Sequence, residues 1–580
     1  MQVTRGYLLL FVGVAGAELA GAPTLLVVDL QQRQFDLATQ LAVQTCSGLF
    51  NRDAKSRTAA YVLFEARDGE WLADVAEAQP TPISVADFLK RCLHGSEHDG
   101  GVPVANGRIR YNATTQQRLV PNILTMAAVL DGVPLEDSEV AGAGVPMVFD
   151  ATSEFAGFGA LEATEYVFSH HASSTSTMAK MNPGLDVHHA KNPFDPPLNG
   201  KPDLKLADYV VKARLFTFFL NNGCIPLTAE HALMERMTTT GPWPQPIVVY
   251  GYDDTWPLAG DLFEAETGCV RRHNMGQVAS IGVSNLGYFS RWPPITSPLV
   301  QPPPSSPPRL AVYNSSRTYL SIIVGDGDNI AFVKGSRRDW IEDRVERCVQ
   351  GLALAAESQL RRANDRGCFP LVWTLSPALL HAAPPLARWY FNKTHQTGRD
   401  HIVLPPSGHT YAYPGSMEGT DQATFVAQTE ADALPYNTSG TVAWEFTGSW
   451  PHAISSYFPR YAAKGRVRGL FPVNVPFMLP VLAFRSNEDY KLMGDGGKGP
   501  PVLFKPREWR GAGGGDKQNL NATQLAREIN SQPRGTVTSL YVTSDGGANL
   551  ELIYSMVEKL DAHIDLVSQE TAVAMALQRG

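Results

Sequence analysis

Short apolar runs recur along this chain, most followed by a polar cluster and then by a stretch in which apolar residues return every three or four positions. That order is the mark of β-α-β units, in which a buried parallel strand feeds a crossover helix. The first unit is legible from the run Thr24 to Asp29, the amphipathic stretch Phe35 to Leu49 and a second run at Ala60 to Phe64. Later runs, Val145 to Phe149 and Ile247 to Tyr250, end in Asp150 and in Gly251-Tyr252-Asp253-Asp254. This part of the chain therefore reads as an α/β domain with a mostly parallel sheet. Acids at the carboxyl ends of such strands either line a crevice or cap the next helix.

The pattern becomes more regular further on. Runs at Leu320 to Val324, Pro370 to Trp373, Ile402 to Leu404, Val442 to Trp444, Gly469 to Pro472, Val502 to Phe504, Val537 to Val542 and Ile564 to Val567 supply enough strands for a β/α barrel. A seven-stranded or partly open variant fits as well, so the second fold is a (β/α)7-8 barrel-like domain. Between the first two runs the spacing predicts a helix with Ile341, Val345, Cys348, Val349 and Leu352 on its apolar face and Gly367 as its stop. The basic residues from Lys334 to Arg347 are interrupted by Asp339, Glu342, Asp343 and Glu346 and read as a solvated helix face. Cys348 would then lie at one end of the crossover unit and Cys368 at the other, separated by a helix of roughly 22 Å, so these two are not expected to be bonded.

The proline-rich stretch Pro293 to Pro308 interrupts both patterns and favours extended geometry, which marks it as a linker between two cores. The expected division is a leader at 1–17, an N-terminal α/β domain at 18–292, the linker at 293–308 and the barrel-like domain at 309–580. The leader rests on Arg5, the apolar run Tyr7 to Val14 and the small residues Ala15-Gly16-Ala17, the shape of a secretory signal. No apolar run approaches the roughly 20 residues that span a membrane.

Composition changes this picture only by exclusion. With 580 residues, 44% hydrophobic and 18% charged, the chain can fill two cores, and a net charge of −8 without a basic stripe excludes nucleic acid as the expected partner. Export brings two further expectations. Cys46, Cys92, Cys224, Cys269, Cys348 and Cys368 can form disulfides with no pairing specified, and Asn112, Asn314, Asn392, Asn437 and Asn521 begin glycosylation triplets. The pairs His170-His171 and His188-His189 lie on irregular segments and do not make a metal site.

Chemistry in a β/α barrel sits at the carboxyl ends of strands, so the residues after each run of the second domain are the candidates. These are Asp326-Gly327-Asp328-Asn329, Trp373, a loop with His409, Tyr411 and Tyr413, then Trp444-Glu445, Asn474, Glu508 and Asp545. Carboxylates gathered in one basin repel unless they share protons, hold a cation or meet donors from a ligand. Aromatic rings stack on sugar faces while carboxylates and amides take hydroxyl groups, so this collection suits carbohydrate. Glu445, Asp326 and Asp328 are the expected catalytic acids. Asn329, Trp373, His409, Tyr411, Tyr413, Trp444, Asn474, Glu508 and Asp545 are expected to bind substrate.

The loop Gly408-His409-Thr410-Tyr411-Ala412-Tyr413-Pro414 resembles the signature of the GxGYxYP family of glycoside hydrolases. Gly48-Leu49-Phe50-Asn51-Arg52, the stretch Tyr250 to Cys269 and Asp326-Gly327-Asp328-Asn329 are similar to that family too. Thr410 stands where the signature has Gly, and it would be strained if that position needs a positive φ. The resemblance implies a carbohydrate substrate and a hydrolase, with no nucleophile or acid to carry over. Paired carboxyl groups would then cleave a glycosidic bond with no cofactor. Two alternatives use the same residues: a deacetylase with a divalent cation at Asp326 and Asp328, or a surface protein that binds carbohydrate without cleaving it.

Overall fold

Parallel strands covered on both faces read as continuous apolar runs, and that is why the strands of this protein stand out in its sequence. A computed structural model describes residues 24–580 apart from 32–34, 54–56, 97–100, 139–143, 187–190, 192–196, 199, 201, 252–271, 304–311, 359–366, 418, 446–447, 462–464, 474–482, 495, 512–519 and 544–546. The expected leader lies outside the described residues. The fold is mixed α/β with mostly parallel sheets. Among the described residues no helix is long and apolar enough to cross a membrane.

The first half contains three parallel sheets where one was expected. Strands β1 (Thr24–Asp29), β2 (Thr58–Leu63) and β3 (Pro80–Ile83) pair in the order β2-β1-β3. Strands β4 (Gly107–Arg110), β5 (Gly132–Leu135) and β6 (Met147–Asp150) form a second sheet, β5-β4-β6. Strands β7 (Met178–Lys180), β8 (Phe216–Phe218), β9 (Ile247–Tyr250) and β10 (Met275–Val278) form a third, β10-β9-β7-β8. The helix Leu37–Phe50 after β1 begins where Asp36 accepts a bond from the Thr39 amide at 2.7 Å, an N-cap of the ordinary kind. Asp150 likewise caps a helix, accepting from the Thr152 amide at 3.0 Å.

In the second half every expected run is a strand. The strands described there, of which β16 and β18 were not among the expected runs, are β11 (Thr318–Val324), β12 (Val372–Thr374), β13 (His401–Val403), β14 (Gly440–Ala443), β15 (Gly469–Pro472), β16 (Tyr490–Gly494), β17 (Gly499–Phe504), β18 (Glu508–Trp509), β19 (Val537–Val542) and β20 (Ile564–Leu566). One sheet runs β13-β12-β11-β19-β18 with β20 also on β11, and the other runs β14-β15-β17-β16. β16 is antiparallel to β17, and a parallel bridge between Leu404 and Thr441 joins the edge of β13 to that of β14.

Alternation along the strands divides the apolar side chains of this half into two sets. Ile323, Val372, Val403, Val442, Phe471, Val502, Phe504 and Tyr541 form one buried cluster to which both sheets contribute. Leu320, Val324, Trp373, Ile402, Trp509 and Val542 point the other way into the larger core, where most of the helices pack, while the last helix, Gln569–Arg579, adds Ala572, Val573, Met575 and Ala576 to the first cluster. We call these the enclosed side and the helix side.

The helix Ser336–Ser358 corrects two expectations. Its basic residues are mostly not solvated, since Lys334 just before it, Arg337, Arg338 and Arg344 are all buried and only Arg347 is part-exposed. Lys334 pairs with buried Asp68 and bonds Ser284 at 2.6 Å, Arg344 pairs with buried Asp400 at 2.9 Å, and Arg338 lies 4.5 Å from the Trp71 ring centre and 5.0 Å from that of Trp389. Long basic side chains thus cover apolar surface while their charges meet acids. The buried stripe carries Arg337, Ile341, Arg344 and Cys348, whereas Val349 is exposed. Cys348 and Cys368 are bonded, with their Cα atoms 4.5 Å apart. Cys348 sits in the middle of the helix rather than at its start, so the helix runs on past it and Cys368 lies beside its middle. Cys46 is bonded to Cys92.

The proline-rich stretch is fastened to the second half. Leu299 donates to the Pro435 carbonyl at 2.7 Å, and the Gln301 amide bridges Ile402 and Tyr436 at 2.9 and 3.0 Å.

Candidate functional site

The segment Gly325-Asp326-Gly327-Asp328 is a tight loop at the carboxyl end of β11, and its glycines are set by close approach. A Cβ on Gly325 would stand 2.3 Å from the Tyr541 ring, and one on Gly327 would stand 1.9 Å from the Thr374 carbonyl oxygen. Thr374 fastens the loop by donating to the Val324 carbonyl at 2.8 Å and accepting from the Gly327 amide at 3.0 Å. Asp326 takes a left-handed backbone, φ 60°, which aspartate tolerates better than most residues. That turn brings it to Tyr541, whose hydroxyl accepts from the Asp326 amide at 2.9 Å and donates to its carboxylate at 3.3 Å.

Glu508 joins the same cluster through register, because it pairs with Tyr541 across β18 and β19, and Tyr541 pairs with Ile323 of β11. All three therefore lie on the enclosed side. The Glu508 carboxyl is buried, accepting from Thr543 Oγ1 at 2.6 Å and from Arg510 Nε at 2.9 Å. Burial raises its pKa above the ordinary glutamate value and the charge of Asp326 adds to the rise, while Arg510 and Thr543 oppose it. Tyr541 is pushed far above its ordinary value, first by burial and then by Asp326 and Asp328, so it stays a hydrogen-bond donor. Beneath the loop, Arg337 is fully buried between the Val324 and Thr374 carbonyls, at 3.5 and 3.3 Å, and its charge faces Asp326 and Asp328.

The signature loop forms a second grouping. Gly408 carries the positive φ, 114°, and Thr410 has none, so threonine is unstrained in the position where the signature has glycine. Its side chain lies against Gly276, where a Cβ would come within 1.8 Å of Thr410 Oγ1. Tyr411 exchanges backbone bonds with Gln277 of β10 at 2.9 and 3.0 Å, and Ile330 donates to the Ala279 carbonyl at 2.8 Å. The carboxyl end of β10 therefore touches both loops. His409 Nδ1 lies 2.6 Å from Asp432, and the Tyr411 ring centre is 5.6 Å from that of Trp444.

Glu445 is fully buried, and each of its oxygens has a donor: the Gly415 amide at 2.6 Å and Ser449 Oγ at 2.6 Å. Its neighbour Trp444, half-buried, packs with Tyr413 on the enclosed side. Trp450, Ala453 and Tyr457, the residues that follow Glu445, belong to the helix-side core.

Of the remaining expected residues, Asn329 caps the short helix Ile330–Lys334, accepting from the Ala331 amide at 2.9 Å. Trp373 is fully buried on the helix side, its indole N–H donating to Asp400 at 3.0 Å, so its ring presents no open face. Tyr411 and Tyr413 are buried. Asn474 and Asp545 lie outside the described residues. The structure thus groups Asp326 and Glu508, with Asp328 facing the same Arg337 and Tyr541. Among the described residues no three His, Cys, Asp or Glu side chains gather as metal ligands. Tyr541 and Arg337 were missed from sequence. Alternation along Val537 to Val542 could have placed Tyr541 beside Ile323, but Arg337 was masked by its charged neighbours.

Residues 351–471 match the family model described as "GxGYxYP putative glycoside hydrolase C-terminal domain", so the resemblance carried by the signature loop holds for that segment. A solved structure described as "a putative hydrolase from Bacteroides thetaiotaomicron VPI-5482" superposes with a TM-score of 0.69 at 16% identity, covering 96% of this chain and 95% of that one. At such identity the likeness is one of fold. No curated protein matches the chain.

Proposed function

We propose that this protein is an exported hydrolase that cleaves a glycosidic bond in an oligo- or polysaccharide at the carboxyl ends of the parallel strands in its second half. The observation that carries the reading is the Asp326-Tyr541-Glu508 cluster. A buried carboxyl group with a raised pKa beside a second carboxyl group is what acid-assisted glycoside cleavage needs. Glu508, buried and raised, keeps a proton for the leaving oxygen. Asp326, held by Tyr541 and facing Arg337 with Asp328, is the base or nucleophile. Trp444, half-buried, supplies a ring face for sugar, and His409, oriented by Asp432, a hydrogen-bonding group.

The same reading includes closure of the second half into a seven-stranded, barrel-like ring. Supporting it are the Leu404-Thr441 bridge at one seam and, at the other, the run from β17 into β18, which pairs first with β15 and then with β19. The two-sheet cluster on the enclosed side would be the ring's interior.

The test is a panel of polysaccharides assayed with the full chain and with Asp326→Asn. Cleavage of one glycan by the parent, with turnover lost and binding retained in the variant, is the expected result. Binding without cleavage by the parent would leave a carbohydrate-binding protein instead.

A further inference from the structure

The asparagines of the five Asn-X-Ser/Thr triplets are all exposed in the fold, and the use of their amides separates them from other asparagines. Glycosylation joins sugar to Nδ2, so a modified asparagine must keep that nitrogen outside and out of the bonds that hold the fold. Asn51, Asn106, Asn122, Asn182, Asn285 and Asn530, none of them in a triplet, each donate Nδ2 to a protein oxygen. Among the described residues, the Nδ2 groups of Asn112, Asn314, Asn392, Asn437 and Asn521 make no such bond.

Where triplet asparagines have structural work, Oδ1 does it. Asn112 accepts from the amides of Thr114 and Thr115 at 3.1 and 2.8 Å, Asn314 from the Ser316 amide at 2.9 Å, and Asn521 caps its helix by accepting from Gln524 at 2.9 Å. A sugar on Nδ2 leaves each of these bonds intact. Asn437 sits in a turn with φ 47°. Asn392 differs: it lies inside the helix Pro384–Thr397, and its triplet partner Thr394 is buried, donating to the Phe391 carbonyl at 2.8 Å.

We propose that Asn112, Asn314, Asn437 and Asn521 are N-glycosylated, and that Asn392 is not. In the transfer, Nδ2 forms a bond to the anomeric carbon of a polyprenyl-diphosphate-linked oligosaccharide, the bond from that carbon to the diphosphate oxygen breaks, the lipid diphosphate leaves, and Nδ2 loses one proton. The disulfides Cys46–Cys92 and Cys348–Cys368 agree with an oxidising compartment where such transfer occurs. Placement agrees with function as well. Asn314 and Asn437 precede β11 and β14, at the amino ends of strands whose carboxyl ends carry the acids. The 7 residues of β11 hold its two ends roughly 20 Å apart, so glycans there leave the mouth clear. None of this depends on the hydrolase reading.

The experiment is translation of the full chain with microsomal membranes, followed by peptide N-glycosidase in 18O-water and peptide mapping. The expected result is conversion to labelled Asp at positions 112, 314, 437 and 521 and not at 392. Thr114→Ala, Ser316→Ala, Ser439→Ala and Thr523→Ala, which spare the asparagines, should each remove one glycan from the mass ladder. A chain that enters the membranes and keeps its bare mass overturns the proposal, and so does a chain that stays outside, open to added protease. Labelling at Asn392 would overturn the rule that separates the sites.

Discussion

Two glutamates stand beside tryptophans at strand ends in the second half, and their order is reversed: Trp444-Glu445 after β14, Glu508-Trp509 in β18. Because side chains alternate across a strand, the reversal sends the two carboxylates to different surroundings. Trp444 and Glu508 join the enclosed side, while Trp509 and the residues around Glu445 belong to the helix-side core. Glu445 spends both oxygens on its own chain, holding the signature loop through Gly415. Glu508 shares a field with Asp326 and keeps a raised pKa. A glutamate after a strand is therefore not a site by position alone; its parity decides whether it faces a substrate or a loop.

The sharpest way to break this comparison is to neutralise each glutamate in turn. Glu508→Gln removes the proton donor of the proposed reaction and should lower turnover by about 10²- to 10⁴-fold with little change in melting temperature. Glu445→Gln replaces one acceptor oxygen with a donor and should instead cost about 1–3 kcal/mol of stability, with the turnover of folded protein largely kept. Denaturant unfolding and kinetics on the same two variants decide it. If Glu445→Gln abolishes turnover at unchanged stability, the roles are exchanged.

A smaller effect sharpens the structural arm. A Cβ on Gly415 would stand 2.6 Å from Ala453 Cβ and 2.7 Å from Glu445 Oε2. Gly415→Ala should therefore displace the signature loop and destabilise the protein by about 1–3 kcal/mol, the usual cost of overpacking. The matching change at Gly200, which like Gly415 has no positive φ but where a Cβ meets nothing within 4 Å, controls for glycine's backbone freedom. Equal losses at the two positions would remove the argument from contact with Glu445.

Much of this was legible before any coordinates. Continuous apolar runs revealed β1, β9 and eight of the ten strands described in the second half, since burial on both faces leaves no polar alternation to confuse the reading. The three sheets of the first half were not legible, because β7 and β8 have only 3 residues each and their pairing is set by distant partners. Asp326 and Asp328 were singled out from position as catalytic and Glu508 as binding, and the structure brings Asp326 and Glu508 to one cluster around Tyr541. What sequence could not convey was which charges are buried. Arg337 and Arg344 read as solvent-facing, yet one lies beneath the acid loop and the other meets Asp400 from across the fold. The Cys348–Cys368 bond was hidden for a related reason, since spacing cannot tell a helix that has Cys348 at its middle from one that has it at its start.

The finest test addresses the electrostatics of Glu508 itself. Its carboxyl titrates above the ordinary value of 4.5, so as a proton donor it is competent at lower pH and fails as pH rises through its folded pKa. That gives activity an alkaline limb. Its contribution to stability has the same sign: fully present below the unfolded value and lost as pH rises through the folded one. The Thr543 hydroxyl, donating to Glu508 Oε1 at 2.6 Å, favours the ionised form. Thr543→Val deletes that donor at nearly constant shape, so the pKa should climb further and the alkaline limb should move to higher pH, by less than about one unit. The pH profile of kcat/KM for parent and variant reads this directly. A limb that moves down, or one that follows Glu445→Gln and ignores Thr543→Val, would show that the titrating acid is on the helix side after all.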